Sequence, residues 1–455
     1  MAEPARRKVM WALIALCALG LALRLGVIFK TQSYRLNPGA MEHDSIARGL
    51  LHGQGFSFGD FGYYGPSSVQ SPPFPVLLAG FFKIFGEAAP AAYAAAMVFN
   101  ALVGSLAIWL TYLMARTLGA TVGVGLLAAA ACCVWPTQVY ASNFVQAIDL
   151  IIAAQTAMVV LFYRGVRSGS AWTWAGFSLI ATLAALTEPV LLPIAAFTGI
   201  LILFWRGLAL RLRVRNALIL LAMALVVIGP WTVRNRMVHG AWVPIKSTFW
   251  VNVWKGANEY ATGTDRLKIT SQQKRELEER LLTADDRHMR QAGADEARQY
   301  DMLTPQQRSR LHGQTEIVRE KIFKEFATQW IAAHPVQYAK LCLIRLGKTL
   351  WIDWDNPKSY NAAYVASRAV IVILSAIGLV LAIRARWTLL YPLLLIGSCV
   401  LTYSLTLTAA RFSIPFEPFQ LCLAALAAAA FFQFARGRKS SECENCESAT
   451  AGSND

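Results

Sequence analysis

Long apolar runs recur along this chain, and shorter polar stretches separate them. The runs are about 18 to 22 residues long, which is enough for a helix to cross the hydrocarbon core of a bilayer. They are continuously apolar and do not alternate with period two, so they favour helices over the strands of a membrane barrel. The pattern predicts an all-α polytopic membrane protein with about ten spans. The predicted spans are approximately 9–29, 91–115, 121–138, 146–163, 171–187, 189–205, 216–233, 362–383, 387–408 and 414–435.

Two long polar segments divide the chain into parts. The N-terminal transmembrane module covers 1–233 and contains the first large loop, at about 30–90. The second large loop covers 234–361. The C-terminal transmembrane helices follow at 362–436, and the polar tail 437–455 is predicted to be disordered because it has too few apolar residues to form a core.

Both loops are expected to carry short helices. Residues 71–86 are apolar but too few to span, with proline at the front and glycine at the end, so they predict a helix along the membrane surface. Residues 44–52 predict another short helix with Asp44 as its N-cap. The second loop is strongly charged and predicted helical over about 270–330. A third surface helix, in WIAAHPVQYAKLCLIRLGKTLW, leads back to the membrane.

The distribution of charged residues indicates how this chain is oriented across the membrane. The net charge is +16, although only 15% of the residues are charged. The basic clusters border apolar runs and can all lie on one side of the membrane, which is the positive-inside pattern. No basic face interleaves with aromatic residues as a nucleic-acid groove requires, so nucleic-acid binding is not expected. The clusters are Arg6, Arg7 and Lys8; Arg116; Arg164 and Arg167; Arg206, Arg211, Arg213 and Arg215; Arg384 and Arg386; and Arg436, Arg438 and Lys439.

The spacing of cysteine and histidine residues gives only weak evidence for a metal site. Cys443 and Cys446 form a single C-x-x-C pair, which lacks the second half of a zinc site. His43 and His52 have no partner at ligand spacing and are interpreted as surface histidines. The sequence therefore predicts no metal site and no certain cofactor, and it leaves a divalent metal requirement undetermined.

Ionisable residues gather at the predicted outer edge of the membrane. A charge at the centre of the bilayer costs about 2.5–3.5 kcal/mol on insertion scales, so several charges at one level invite a functional explanation. The structural alternatives are helix capping for the carboxylates and anchoring among lipid headgroups for the arginines. The residues concerned are Glu42, Asp44, Asp149, Glu188, Arg234 and Arg411.

Three stretches resemble the GT-C glycosyltransferases. EHDSIARGLLHGQGFSFGDFGYYGPSSVQSPPFPVLLAGFFKIFG resembles their first outer loop, and GPWTVRNRMVHGAWVPIKSTFWVNVWKGAN the start of their second. RFSIPFEP is similar to their turn between late spans. The nearest resemblance is to a bacterial branch of the family 39 type, related to protein O-mannosyltransferases and the lipid A aminoarabinose transferase.

The resemblance implies transfer of a sugar from a polyprenyl-phosphate donor to a hydroxyl of a lipid, glycan or protein acceptor. Catalysis takes place on the extracytoplasmic face of the bacterial cytoplasmic membrane, with the prenyl tail among membrane lipids and helices. A first-loop carboxylate acts as base or orients the acceptor, and Glu42 is preferred over Asp44. Arg411, then Arg234 and Lys246, are expected to bind the donor phosphate. Further pocket candidates are Asp149, Glu188, Asn235, Asn258 and Gln70.

Two departures narrow this expectation. Many relatives have an Asp-Glu pair where this chain has Gly39-Ala40. The lipid A enzymes have Glu-Lys where this chain has Gln70-Ser71, so the lipid A reaction and a metal requirement lose support.

A transporter or lipid flippase is the alternative function, but a transporter would normally place its ionisable residues near the midplane of the membrane. Here they lie at the outer edge.

Orientation can be tested with reporter fusions. If 30–90 and 234–361 are extracytoplasmic and both termini are inside, phosphatase fusions at Asn258 and Thr304 are expected to be active. A fusion at Arg213 is expected to be inactive, because that site borders a basic cytoplasmic cluster. The reverse pattern would contradict both the topology and the outer-face chemistry.

Overall fold

A computed structural model describes residues 3–36, 38–264, 300, 303–356, 359 and 361–451, with side chains described as far as residue 435. The described part is mainly helical. Its helices are α1 (Glu3–Thr31), α2 (Ser33–Leu36), α3 (Glu42–Leu51), α4 (Pro73–Phe85), α5 (Pro90–Leu118), α6 (Val122–Val134), α7 (Pro136–Ala141), α8 (Ile148–Ser168), α9 (Ala171–Thr187), α10 (Leu192–Leu203), α11 (Leu210–Val227), α12 (Gly229–His239), α13 (Phe249–Gly256), α14 (Pro305–Leu311), α15 (Glu316–Ala333), α16 (Pro335–Leu350), α17 (Ala362–Arg384), α18 (Leu390–Leu405) and α19 (Glu417–Ala451). Short 3-10 helices lie at Pro189–Leu191 and Ala410–Phe416.

The apolar helices confirm a multi-pass membrane protein. Within the described residues, five helices are long and apolar enough to cross a bilayer by themselves: α1, α5, α8, α17 and Ala410–Ala435. The pair α11 and α12, which is bent by 41°, can supply a sixth span. The other predicted spans fall on the shorter apolar helices α6, α9, α10 and α18.

Local signals explain where these helices begin and end. The Thr121 side chain accepts a hydrogen bond from the Val124 backbone at the start of α6, and Ser170 does the same for Thr173 in α9. Gly169 ends α8 in the left-handed conformation, which glycine adopts without steric cost. Adjacent helices then pack closely, with α5 against α1, α6 and α8, and α17 against α19.

The first loop forms helix, hairpin and helix. β1 (Ser57–Asp60) pairs antiparallel with β2 (Tyr63–Pro66) between α3 and α4. The predicted helix is present as α4, with Phe74, Leu78 and Phe82 buried and Val76 and Ile84 exposed, and its place along the membrane surface stays a prediction. An apolar residue exposed on a surface helix of a membrane protein is suited to contact lipid.

One local prediction is wrong. Helix α3 begins at Glu42, two residues before the predicted start, and no side chain caps it. Asp44 lies inside the first turn and binds Arg48 and Tyr93. It therefore cannot be the N-cap.

The second loop contains α13 to α16. The predicted third surface helix is present as α16. Of the predicted helical stretch 270–330, α14 and α15 are described, and 270–299 lies outside the described residues. The predicted disordered tail 437–455 lies beyond the described side chains.

A buried ion pair joins two membrane helices. The Arg368 Nη1 atom on α17 lies 3.5 Å from the Glu417 Oε1 atom on α19, and both side chains are buried. Thr137 and Gln138 of α7 donate hydrogen bonds of 2.6 and 2.8 Å to the other Glu417 oxygen. Arg368 also donates to the Trp351 carbonyl at 3.0 Å. This network fixes the helix that follows the Arg411 turn.

Breaking this pair should destabilise the protein strongly, because it leaves one buried charge without its partner. Arg368→Ala is expected to cost about 3–5 kcal/mol and to lower the melting temperature in detergent. Arg368→Met combined with Glu417→Gln should recover part of that loss. Arg384→Ala, on the exposed end of the same helix, is the matched control. Equal melting temperatures for Arg368→Ala and the control would contradict the role of the pair.

Candidate active site

Glu42 occupies a strained turn at the start of α3. Gly39 has a φ of 65°, and a Cβ atom there would lie 2.9 Å from the Phe144 ring, so only glycine fits. Met41 also has a positive φ, of 46°, which is uncommon for a residue with a side chain. Such strain often accompanies function. The turn places the Glu42 carboxylate at the N-terminus of α3, where the helix dipole favours a negative charge.

The two large loops meet at this carboxylate. The Gln70 Nε2 atom donates to a Glu42 oxygen at 3.3 Å, and the Lys246 Nζ atom donates to the Gln70 Oε1 atom at 3.0 Å. Gln70 comes from the first loop and Lys246 from the second. The structure therefore brings together three of the predicted site residues.

Glu42 is strongly favoured as an anion. Burial by itself would raise its pKa, but the backbone N–H of Glu42, then the neighbouring His43, and then Lys255 and Lys246, lower the pKa to about 2. The carboxylate is therefore ionised over the whole physiological pH range. Lys255, which was not predicted as a site residue, also lies over the Tyr300 ring at 4.3 Å.

His43 and His52 differ in environment. The His43 ring is half-buried and packs edge-on against Phe74, with 5.2 Å between ring centroids. Burial lowers the pKa of His43 to about 4, the charge of Glu42 opposes this, and Lys246 and Arg411 add to it. His43 is therefore a neutral group inside the site, and its interpretation as a surface histidine was wrong. His52 is exposed and lies 2.9 Å from Glu87.

Arg411 projects from the turn Ala410–Phe416 toward the same region. Its Nη1 atom donates to the Gln146 Oε1 atom at 3.4 Å, and its guanidinium packs on the neighbouring Phe412 ring at 5.7 Å. Phe412 in turn stacks on Tyr403 at 4.6 Å. No carboxylate of the described residues lies within ion-pair distance of Arg411. A half-buried guanidinium in this state is suited to bind an anion.

Both carboxylate oxygens of Asp44 accept hydrogen bonds. One accepts a hydrogen bond from Arg48 at 2.8 Å, and the other accepts one from the Tyr93 hydroxyl on α5. These contacts attach α3 to the membrane bundle. They favour a structural role for Asp44 and leave Glu42 as the better base.

Arg234 and Asn235 connect the loops. Arg234 donates to the backbone carbonyls of Ser67 and Phe56 and lies over the Trp231 ring at 4.8 Å. Asn235 is buried and donates to the carbonyls of Val243 and Ile245. Because these donors already have partners, the geometry favours a structural role for both residues over phosphate or substrate binding.

The remaining predicted pocket residues are Asn258, Asp149 and Glu188, and they differ in burial and in partners. Asn258 is buried and donates to the Trp254 carbonyl at the end of α13, at 2.9 Å. Asp149 is fully buried in the first turn of α8 and accepts a hydrogen bond from Ser142 at 3.2 Å. Glu188 is half-buried at the break between α9 and the turn Pro189–Leu191. Of the three, Glu188 is the one that a substrate could still reach.

Glu316 is an interaction centre that the sequence analysis missed. It is buried, and its carboxylate accepts hydrogen bonds from the side chains of Ser67, Ser68 and Ser247 and from the Ser68 backbone. The Thr315-Glu316 pair at a helix start was visible in the sequence. Its partners lie about 70 and about 250 residues earlier, however, and only the fold brings them together.

No three His, Cys, Asp or Glu side chains of the described residues come together as a metal ion would require. The described groups at this site are the Glu42 carboxylate, the Gln70 amide and the cationic Lys246.

Oligosaccharyltransferases are among the solved structures that this chain resembles. AglB, the oligosaccharyltransferase of Archaeoglobus fulgidus solved with an inhibitory peptide and a dolichol-phosphate, matches with a TM-score of 0.52 and 13% identity, over 97% of this chain and 52% of that one. The same species' enzyme tethered to an acceptor peptide matches with a TM-score of 0.51 and 13% identity, over 93% and 50%. ArnT of Cupriavidus metallidurans bound to undecaprenyl phosphate matches at 14% identity over 92% and 78%, but its TM-score of 0.35 is too low to carry an argument.

These matches establish the fold. No protein-family model matches the chain, and no curated protein sequence does either. The chain spans about half the length of the oligosaccharyltransferases it matches. The predicted GT-C fold is confirmed, and the nearer resemblance to family 39 stays a prediction.

Proposed function

We propose that this protein is a glycosyltransferase that moves a sugar from a polyprenyl-phosphate donor to an acceptor hydroxyl. The observation that carries the proposal is the meeting of ionised Glu42, Gln70 and Lys246 at one point, with Arg411 close enough to influence the neighbouring His43. A leaving phosphate needs fixed positive charge, and an attacking hydroxyl needs a proton acceptor. This site offers both at the predicted outer face of the membrane.

The reaction would break the bond between the sugar's anomeric carbon and the phosphate oxygen. The acceptor oxygen forms the new bond to that carbon, its proton passes to Glu42, and the polyprenyl phosphate leaves with the electron pair. Arg411 can bind two phosphate oxygens with its planar fork, and Lys246 can add a point charge. These groups stabilise the charge that develops on the phosphate.

A carboxylate with a pKa of about 2 is a weak base by itself. Lys246 is one of the groups that lower this pKa, and a donor phosphate bound beside it would neutralise its charge. Donor binding would therefore raise the pKa of Glu42 and strengthen it as a base when the acceptor is present. Before that, Glu42 orients the acceptor hydroxyl by accepting its hydrogen bond.

The expected partners follow from this chemistry. The prenyl tail of the donor would lie in a groove between membrane helices, among bilayer lipids, and the acceptor would be a lipid, glycan or protein. Support comes from the fold, since the matching oligosaccharyltransferase was solved with a dolichol-phosphate. The proposed location is the bacterial cytoplasmic membrane, which the family resemblance implies, and the basic clusters favour an outward-facing site.

One feature would also suit a transporter. Helices α11 and α12 form a bent pair, and broken spans line substrate sites in many transporters. Here the break at Ile228 lies at the predicted outer end of the span. Its neighbour Trp231 donates to the Ile245 carbonyl, so the break starts the second loop. Transport therefore has less support than glycosyl transfer.

Substitution of the two first-loop carboxylates separates their roles. Glu42→Gln keeps the side-chain shape but removes the base, so turnover should fall by roughly 10²-fold or more. Asp44→Asn keeps a hydrogen-bond acceptor for Tyr93 and should cost less turnover while lowering the melting temperature. The measurement is release of polyprenyl phosphate from a sugar-loaded donor by purified protein. Normal turnover in Glu42→Gln with an inactive Asp44→Asn would reverse the assignment.

The phosphate role of Arg411 is tested by a conservative change. Arg411→Lys keeps the charge but loses the fork, so it should fold normally and use the donor much more weakly, and Arg411→Ala should be almost inactive. Arg236→Ala, an exposed arginine on α12, is the control. If Arg411→Lys has the donor KM and kcat of the unmodified protein, Arg411 is a lipid anchor and the phosphate site moves toward Lys246.

A further inference from the structure

A short segment of the chain lies between Arg411 and the turn that leads into Glu42. Residues 142–147 connect α7 to α8. The Val145 N–H donates to the Pro38 carbonyl at 2.9 Å, and Asn100 of α5 donates to the carbonyls of Phe144 and Gln146. The segment is therefore fixed to the membrane bundle and to the chain that leads into Glu42.

Hydrogen bonds of the Ser142 and Asn143 side chains also hold this segment in place. Ser142 donates to the fully buried Asp149 at 3.2 Å. Asn143, buried as well, donates to the Ser33 hydroxyl at 2.8 Å and accepts from Thr31 at 2.9 Å. A backbone with this many tertiary hydrogen bonds gives its side chains a fixed origin.

Both polar atoms of the Gln146 side-chain amide form hydrogen bonds, and these bonds connect two parts of the proposed site. Its Oε1 atom accepts from Arg411, at 3.4 Å, and its Nε2 atom donates to the Gly39 carbonyl at 3.2 Å. Gly39 is three residues before Glu42. One rigid side chain thus links the guanidinium to the turn that starts α3.

We propose that Gln146 is a positioning residue that sets the distance between Arg411 and the Glu42 turn. This inference rests on the proposed function, because the distance matters only if Arg411 binds the donor phosphate while Glu42 serves the acceptor. The Gln146 amide is neutral, so it orients the guanidinium without neutralising it. A carboxylate at the same place would pair with Arg411 and compete with phosphate.

The test uses binding of undecaprenyl phosphate to purified full-length protein, which needs no knowledge of the sugar or acceptor. Gln146→Ala is expected to weaken binding about tenfold, which corresponds to the lower end of the loss of one hydrogen bond to a charged group. Gln146→Glu is nearly isosteric but should weaken binding more, by roughly 10²-fold, because the new charge pairs with Arg411. Gln54→Ala, at an exposed first-loop glutamine, is the matched control.

A double-mutant cycle isolates the coupling. If Gln146 acts through Arg411, then Gln146→Ala should have little further effect in an Arg411→Ala background. Additive losses, or a Gln146→Glu protein that binds at least as well as Gln146→Ala, would overturn the inference. If Gln146→Ala fails to fold, undecaprenyl phosphate binding by the near-isosteric Gln146→Glu is compared with binding by the unmodified protein.

Failure of the proposed function would look different. In that case Arg411→Ala would bind undecaprenyl phosphate as tightly as the unmodified protein, and both the phosphate role and the positioning role would fall together. Weak binding by Arg411→Ala with unchanged binding by Gln146→Ala would leave the proposed function intact and overturn only the role of Gln146.

Discussion

The hydrogen-bonded link from Glu42 through Gln70 to Lys246 is the interaction on which the proposed site depends. It joins a residue at the start of α3 to a residue about 200 positions later, at the entrance of the second loop. Without that link the two loops would have no common polar centre near Glu42. The strained turn at Gly39 and Met41 is a further requirement, because it directs Glu42 toward the link.

The charges around the site divide into two groups. Glu316 and the Arg368–Glu417 pair are buried, and each is bound to several protein partners, as a charge in a dry environment must be. Arg411 and Lys246 are half-buried and contact neutral amides. The first group stabilises the fold, while the second retains charge that a phosphate can use. This division explains why most of the outer charges act in structure and only a few in the proposed chemistry.

The membrane helices could be predicted from the sequence because bilayer thickness dictates the length of an apolar run. The resemblance indicated Glu42 and Lys246 as separate site candidates, but the contact that joins them through Gln70 was not predicted and depends on the fold. The tertiary partners of individual polar residues could not be predicted. Asp44 had the local signature of a helix cap, yet it accepts a hydrogen bond from Tyr93, which lies about 50 residues later. Gln146 and Glu316 were missed for the same reason, since their partners are distant in sequence.

The most direct test of the central claim is an experimental structure of the protein with undecaprenyl phosphate in a lipid nanodisc. We expect the phosphate to lie between Arg411 and Lys246, within hydrogen-bond distance of the guanidinium, with the prenyl chain descending between membrane helices. Glu42 should remain beside Gln70, free to receive an acceptor hydroxyl. A phosphate bound elsewhere, with Arg411 turned toward bulk lipid headgroups, would contradict the proposed active site.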